Sequence, residues 1–178
     1  NRNIGLLVDI SVSMNDAKEI AKRLGSAIAA ALGDNNWIET VAFNDGFYFV
    51  KPKGKDLDSW EKAFAGVNIS GATHAGQGLL ALAARKEPVD QIVIITDEGE
   101  NGAPNFSVAY EAYRNQFGAS PSVRIIRCGK NRSDTIYNAL VKKGNVDVER
   151  FDFDGDYFSI PNLLTFLNKS SRLDLLME

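Results

Sequence analysis

The sequence IGLLVDISVS, residues 4–13, joins an apolar run to a carboxylate and two hydroxyls. The run from Ile4 to Asp9 has the length of one strand and is apolar at successive positions, which is typical of a central parallel strand buried on both faces. Asp9, Ser11 and Ser13 stand at alternate positions, so an extended or tightly looped chain points their side chains to one side. The stretch therefore predicts a buried strand with oxygen ligands at its carboxyl end.

The rest of the chain alternates between strand-like and helix-like segments. Apolar spacing and turn residues such as Asn44-Asp45-Gly46 mark their boundaries. The predicted strands cover residues 4–9, 37–43, 47–50, 91–96, 123–128 and 148–153. The predicted helices cover residues 16–32, 59–65, the segment from the glycine-rich loop 66–78 through Arg85, and residues 105–117, 135–143 and 160–168. Alternating strands and crossover helices predict an α/β fold with helices on both faces of a mostly parallel sheet, and the hairpin adds one antiparallel strand at its edge.

Composition limits the class of protein. The 178 residues are 44% hydrophobic and 24% charged, which predicts one globular domain over residues 1–178. The net charge of -3 lacks the basic excess of a domain that grips a nucleic-acid backbone. The lone cysteine, Cys128, favours a reducing compartment, so we expect a cytoplasmic protein. No apolar run reaches membrane-spanning length, and strand-like sequence by Ile4 suggests a domain excised from a larger protein.

Further oxygen ligands follow elsewhere in the sequence. Asp97 comes directly after the apolar run 91–96, and Thr73 lies on a loop flanked by glycine. In such sheets, ligands bind beyond the carboxyl ends of the strands, where the strand order reverses. Two carboxylates and three hydroxyls suit a hard cation such as Mg²⁺ or Mn²⁺, whereas the single His74 and Cys128 do not favour zinc. We therefore predict a divalent-metal site formed by Asp9, Ser11, Ser13, Thr73 and Asp97.

Three segments of the chain resemble the metal-ion-dependent adhesion site of von Willebrand factor A domains, as found in integrin I domains. They are LLVDISVSM (6–14), SGATHAGQGL (70–79) and VIITDEGEN (93–101). The resemblance covers the whole chain and implies a three-layer Rossmann-like sandwich with a six-stranded sheet of order 3-2-1-4-5-6. It implies that the hydroxyls of Ser11, Ser13 and Thr73 bind the metal, with Asp9 and Asp97 acting directly or through water. It also implies that the domain docks an acidic side chain of a partner protein, without catalysis.

The chain departs from that family's pattern at two positions. Val12 stands where the family often has glycine, which is tolerated if its φ is negative. Glu98 stands where glycine commonly follows the second Asp. Glu98 and Glu100 would add negative charge beside the metal, tightening cation binding and weakening capture of an anionic partner, or would be solvated loop residues. We expect the second arrangement.

Four segments resemble the carboxyl-terminal domain of Ro autoantigen (TROVE) proteins. They are VAFND (41–45), TDEGEN (96–101), YEAYRNQF (110–117) and VRIIRCGK (123–130). Those proteins are cytoplasmic and bind RNA, and their other part is a helical-repeat ring. The resemblance implies that this chain is the A-domain half of such a ribonucleoprotein component, with RNA bound mainly by the other part.

Two charged clusters give weaker signals. A basic cluster near the end of the fifth strand could contact phosphate, although a solvated loop is favoured. It consists of Arg124, Arg127, Lys130 and Arg132. The acidic stretch 152–156 resembles the start of a calcium loop, but Tyr157 and Leu163 occupy the positions where an EF-hand needs Gly and Glu. A solvated turn is expected there.

Two alternative functions stay open from the sequence. Asp9 would be the nucleophile of a Mg²⁺-dependent phosphotransferase or phosphatase, but Ser11 stands where such enzymes need a second Asp as general acid. No glycine-rich dinucleotide motif or P-loop follows the first strand, so we do not expect an enzyme. The other alternative is a structural domain whose metal site does not function.

Overall fold

The structure, a computed structural model, describes residues 2–168. Its strands are β1 (Ile4–Asp9), β2 (Ile38–Phe43), β3 (Phe47–Val50), β4 (Gln91–Thr96), β5 (Ser122–Arg127) and β6 (Val148–Asp152). Its helices are α1 (Asn15–Ala31), α2 (Leu57–Phe64), α3 (Gln77–Leu82), α4 (Phe106–Phe117), α5 (Thr135–Lys143) and α6 (Ile160–Asn168). A 3₁₀ turn, Tyr157–Ser159, precedes α6. None of the helices between residues 2 and 168 is long and apolar enough to cross a membrane.

The six strands form one sheet in the order β3-β2-β1-β4-β5-β6. Every pairing is parallel except β2 with β3, which is the antiparallel edge hairpin. This order and direction confirm the predicted Rossmann-like sandwich. The two strands that flank β1 follow it in opposite directions along the sheet, so the order reverses between β1 and β4.

Two hydrophobic cores lie on the two faces of the sheet. Along β1, Leu6 and Val8 belong to one core and Leu7 to the other, because successive side chains of a strand point to opposite faces. The first core also contains residues of α1, α2 and α6, and the second contains residues of α3, α4 and α5. Burial on both faces explains why β1 and β4 are continuous apolar runs.

Two helix boundaries differ from the predicted ones. Helix α2 begins at Leu57, two residues earlier than predicted, because the Asp56 side chain caps it by accepting a hydrogen bond from the Ser59 N–H at 3.2 Å. Helix α3 ends at Leu82 rather than at Arg85, whose N–H instead closes a tight turn onto the Leu82 carbonyl at 3.1 Å. Both changes affect loops and leave the sheet as predicted.

Candidate metal centre

The carboxyl ends of the neighbouring strands β1 and β4 bring two carboxylates to the same edge of the sheet. Val8 is paired with Ile95, so Asp9 at the end of β1 lies beside Thr96 at the end of β4. Asp97 follows Thr96 directly. Asp9 is 0% exposed and Asp97 is 4% exposed. Both carboxylates therefore lie below the protein surface, at the point where the strand order reverses.

Asp9 organises a chain of hydroxyl groups. Its Oδ1 accepts hydrogen bonds from the Ser11 backbone N–H at 2.9 Å and from the Ser11 hydroxyl at 2.6 Å. Its Oδ2 accepts the Thr96 hydroxyl at 2.7 Å. Because the Ser11 proton points to Asp9, the Thr73 hydroxyl is the donor in its 2.7 Å contact with Ser11 Oγ. The structure thus joins three of the five predicted residues, Asp9, Ser11 and Thr73, in one buried group.

Ser13 and Asp97 form a second group. The exposed Ser13 hydroxyl donates to Asp97 Oδ2 at 2.9 Å, and the Gly99 N–H donates to Asp97 Oδ1 at 2.8 Å. The negative charge of Asp97 contributes to raising the pKa of Asp9, so the two carboxylates are near enough to repel each other. The five predicted residues therefore meet at one end of β1 and β4.

The loop that carries Thr73 is fixed on both sides. The Asn101 side chain accepts the Thr73 N–H at 2.9 Å, and the Asn101 N–H donates to the Thr73 carbonyl at 3.0 Å. The Asn44 side chain donates to the Ser70 carbonyl at 3.0 Å, and Gly71 adopts a left-handed φ of +82°. Sequence analysis did not identify Asn44 and Asn101 as positioning residues. Their only signal is their position directly after β2 and in the loop after β4.

The electrostatics of this site favour a cation. Burial raises the pKa of Asp9, an effect that the hydrogen bonds from Ser11 and Thr96 oppose. No ion pair among residues 2–168 involves Asp9 or Asp97. A buried carboxylate without a cationic partner is costly to the folded state, and a bound divalent ion would remove that cost.

The available lone pairs also fit a hard cation. Ser13 and Thr73 give their protons to Asp97 and Ser11, which leaves both lone pairs of each hydroxyl free, and Ser11 keeps one. Within residues 2–168 there is no group of three or more His, Cys, Asp or Glu side chains that could hold a metal. The residues thus fit a site of hydroxyls and two carboxylates, which is the donor set of Mg²⁺ or Mn²⁺.

The soft side chains of the chain are placed otherwise. Cys128 is 1% exposed, and burial, together with the nearby negative charge of Asp9, raises the pKa of its thiol to about 12. The thiol is therefore protonated at neutral pH, and a thiolate ligand for zinc is not available. The His74 ring lies against Gly102, where an added Cβ would meet its Nε2 at 2.0 Å.

The expectation that Glu98 and Glu100 are solvated is wrong. Glu98 is 0% exposed, and its carboxylate accepts the Tyr137 N–H at 2.6 Å and pairs with Arg150 at 3.1 Å. Its φ of +66° is the left-handed conformation that the glycine of the family pattern adopts without strain. Glu100 is half-buried and caps α4 by accepting the Phe106 N–H. Both carboxylates are thus engaged in holding the loop after β4.

Val12 has a negative φ, as expected. The residues other than glycine with positive φ within 2–168 are Glu98 and Asn145. The Val12 side chain is 70% exposed beside the site, and its N–H donates to the Gly71 carbonyl at 3.2 Å. The hydrogen bond joins the Asp9 loop to the Thr73 loop.

The basic cluster of the sequence does not form one solvated or phosphate-binding patch. Arg124 is 1% exposed and forms a two-pronged ion pair with Asp147. Arg127 pairs with Asp134 and Asp152, both at 2.7 Å. The ion pairs tie β5 to its neighbours, and Asp152, from the acidic stretch, is used in them rather than in a calcium loop.

Comparison with known proteins gives structural likenesses. No protein-family model matches the chain, and no curated protein matches its sequence. An aerotolerance-related membrane protein from Bacteroides fragilis is 16% identical with a TM-score of 0.68, and the match covers 96% of this chain and 100% of that one. A von Willebrand factor type A structure from Catenulispora acidiphila is 16% identical with a TM-score of 0.66, covering 94% and 42%. The manganese-loaded TRAP protein of Plasmodium vivax is 13% identical with a TM-score of 0.64, covering 95% and 72%. The chain therefore has a von Willebrand factor A-like fold.

Proposed function

We propose that this chain is a binding module that holds a divalent cation, Mg²⁺ or Mn²⁺, and uses it to dock an acidic side chain of a partner protein. The ligand set is Asp9, Ser11, Ser13, Thr73 and Asp97. The observation that carries the proposal is the pair of buried carboxylates without basic partners, bordered by three hydroxyls with free lone pairs. The manganese-loaded TRAP protein, which has the same fold, supports it.

The hydrogen bonds assign different roles to hydroxyls and carboxylates. Ser11, Ser13 and Thr73 have free lone pairs and would bind the ion directly. The Asp9 carboxylate already accepts three hydrogen bonds, so it would orient Ser11 and add charge from behind, directly or through water. Because neutral hydroxyls leave much of the positive charge of the ion uncompensated, the ion would supply an anchor for an anionic group at an open position.

The geometry gives less support to the phosphotransferase alternative. A nucleophilic carboxylate needs an oxygen free to attack phosphorus, and both Asp9 oxygens accept hydrogen bonds from Ser11 or Thr96. Ser11 also occupies the place of the general acid and gives its proton to Asp9. We therefore propose binding without catalysis. Metal-dependent hydrolysis of generic phosphoesters that Asp9→Ala abolished would contradict it.

Isothermal titration with Mg²⁺ and Mn²⁺ tests the metal site. We expect saturable binding that Thr73→Val abolishes, because valine keeps the shape of threonine and lacks the ligand oxygen. The matched control is Thr40→Val, the same change at a buried threonine of β2 that has no hydrogen-bond partner for its hydroxyl. Identical titration curves for the two variants would contradict the proposed ligand set, as would the absence of binding by the folded wild-type chain.

The acidic partner has its own test. Peptides with one exposed Asp or Glu would bind the metal-loaded chain and lose binding when the ion is chelated. The same peptides with Asn or Gln would not bind, since an amide lacks the negative charge that the ion attracts. Binding that survives chelation would assign the peptide to another surface.

The relationship to Ro proteins is a finer proposal, supported by four short segments of sequence. On this proposal the chain is the A-domain of a cytoplasmic RNA-binding protein, and the RNA contacts lie mainly outside it. The engagement of Arg124 and Arg127 in ion pairs supports that division. We expect no binding of structured RNA by this chain at low salt, and an RNA affinity that falls steeply with salt would contradict the division.

A further inference from the structure

A cavity of about 280 Å³ lies near the amino-terminal end of β2, where the sequence gave no signal. It is enclosed by the end of α1, the segment after β3, and α2. The lining residues are Ala29, Leu32, Asn36, Trp37, Ile38, Thr40, Pro52, Lys53, Gly54, Lys55 and Trp60. Since β1 and β2 are parallel, this cavity and the metal centre lie toward opposite ends of the strands. A single water takes up about 30 Å³, so the volume suits a small organic molecule.

Two lining residues carry buried polar atoms without hydrogen-bond partners. They are Trp60 Nε1 and Thr40 Oγ1, and the residues are 1% and 2% exposed. Most buried polar groups are hydrogen-bonded, because leaving one without a partner costs free energy. The Trp60 ring packs against Gly25 of α1, where an added Cβ would lie 2.2 Å from the ring, and Thr40 is held in β2 opposite Val50. Neither side chain is free to turn toward solvent.

The charge of the lining is positive. Lys53 and Lys55 are exposed, no ion pair within residues 2–168 includes either of them, and the lining has no acidic residue. The nearest acids in sequence are already engaged, since Asp56 accepts hydrogen bonds from Ser59 and Asp58 pairs with Lys62 at 2.9 Å. In a chain of net charge -3, this lining favours an anion.

The surroundings favour a carboxylate over a phosphate. Proteins commonly bind phosphate with the free N–H groups of a helix N-terminus. The N-terminus of α2, which follows the lining segment, is occupied by the Asp56 carboxylate, which would repel a phosphate. The apolar walls formed by Leu32, Ile38 and Pro52 would leave an inorganic ion without partners, whereas they suit an apolar body.

We propose that this cavity binds a small organic carboxylate whose apolar body carries a second oxygen. The carboxylate lies by Lys53 and Lys55, and the body packs against Leu32 and Ile38. The second oxygen accepts the Trp60 indole N–H. A hydroxyl at that position also pairs with the Thr40 hydroxyl, since each can donate or accept.

Nuclear magnetic resonance of the full chain tests this site, because the two tryptophans give two indole N–H signals. Trp37→Phe identifies the Trp60 signal by leaving it in place. The probe is para-hydroxybenzoate in the millimolar range, and we expect a saturable shift of the Trp60 signal. Para-hydroxybenzyl alcohol, which lacks the carboxylate, and inorganic phosphate should leave that signal in place. No saturable shift with para-hydroxybenzoate would mean that the cavity holds water only, and an equal shift with phosphate would mean a simple anion site; either result overturns the proposal.

Matched variants separate specific binding from general electrostatic attraction. We expect Lys53→Gln with Lys55→Gln to weaken binding about tenfold, since two exposed ion pairs are lost. Lys86→Gln with Lys142→Gln makes the same charge change at exposed positions outside the cavity and should leave the affinity unchanged. Thr40→Val should weaken para-hydroxybenzoate more than benzoate. Equal losses in the two lysine double variants, or equal effects of Thr40→Val on the two probes, would contradict the assigned contacts.

Discussion

Replacement of Arg150 by methionine tests how the loop after β4 is held. Methionine keeps an apolar stem over Tyr137, whose ring lies 4.7 Å from the Arg150 guanidinium, and removes the charge. The Glu98 carboxylate, which is 0% exposed, then keeps its hydrogen bond from Tyr137 and loses its cation. Breaking a buried ion pair on one side costs about 3–5 kcal/mol. Protonation of Glu98 sets the upper limit, because neutralising a carboxyl of pKa about 4.3 at neutral pH costs about 3–4 kcal/mol.

Arg150 is partly exposed, and water reduces the cost of losing it. We therefore expect Arg150→Met to lower the free energy of unfolding by about 2–3 kcal/mol at neutral pH. The measurement is urea denaturation, with the m-value checked for two-state behaviour. Glu98→Gln in the Arg150→Met background removes the unpaired charge, so it should restore most of the loss. Lys62→Met breaks the exposed pair with Asp58 and should change nothing measurable.

The pH dependence of the same variant has a definite sign. Burial raises the pKa of Glu98, and loss of Arg150 removes a contact that opposes this rise. A folded pKa above the unfolded one means that the folded state binds more protons, so stability is lost as pH rises through the folded pKa. The deficit of Arg150→Met relative to wild type should therefore shrink as the pH falls from neutral toward the unfolded pKa of Glu98. A pH-independent deficit, or a loss that Glu98→Gln does not restore, would refute the buried-charge explanation.

Three further predictions concern single residues. Cys128, whose thiol pKa burial raises to about 12, should resist alkylation in the native chain at mildly alkaline pH and react once in denaturant, as counted by mass spectrometry. Glu100→Ala should cost about 1 kcal/mol in urea denaturation, because the Phe106 N–H at the start of α4 loses its acceptor. Gly71→Ala should cost about 1–2 kcal/mol and weaken Mn²⁺ binding, because alanine is strained at a φ of +82°. Gly66→Ala, at a glycine with open space around its Cβ position, should do neither.

The sheet could be predicted from the sequence because its strands are marked by local patterns. The apolar runs that form β1 and β4 are buried on both faces, and Asn44-Asp45-Gly46 marks the edge hairpin. The order of the strands came from the resemblance to von Willebrand factor A domains and is confirmed by the pairing. Helix ends were less certain because they depend on single contacts, such as the cap that Asp56 gives to α2.

The five site residues were predictable because each follows a strand end or a glycine in the sequence. The residues that hold them were not, because their partners are distant in the chain. Glu98 is paired with Arg150, and Thr73 is held by Asn101, contacts that no local pattern shows. Charge in the sequence was also misleading at Arg124, which is buried against Asp147 rather than solvated.

Anomalous diffraction from crystals grown with Mn²⁺ tests the metal site most directly. We predict a single anomalous peak at the carboxyl ends of β1 and β4, at a bonding distance of about 2.1 Å from the hydroxyl oxygens of Ser11, Ser13 and Thr73. The peak should be absent from crystals of Thr73→Val grown in the same way. A map without density at this place, or with manganese bound by other side chains, would contradict the metal-binding role of these residues.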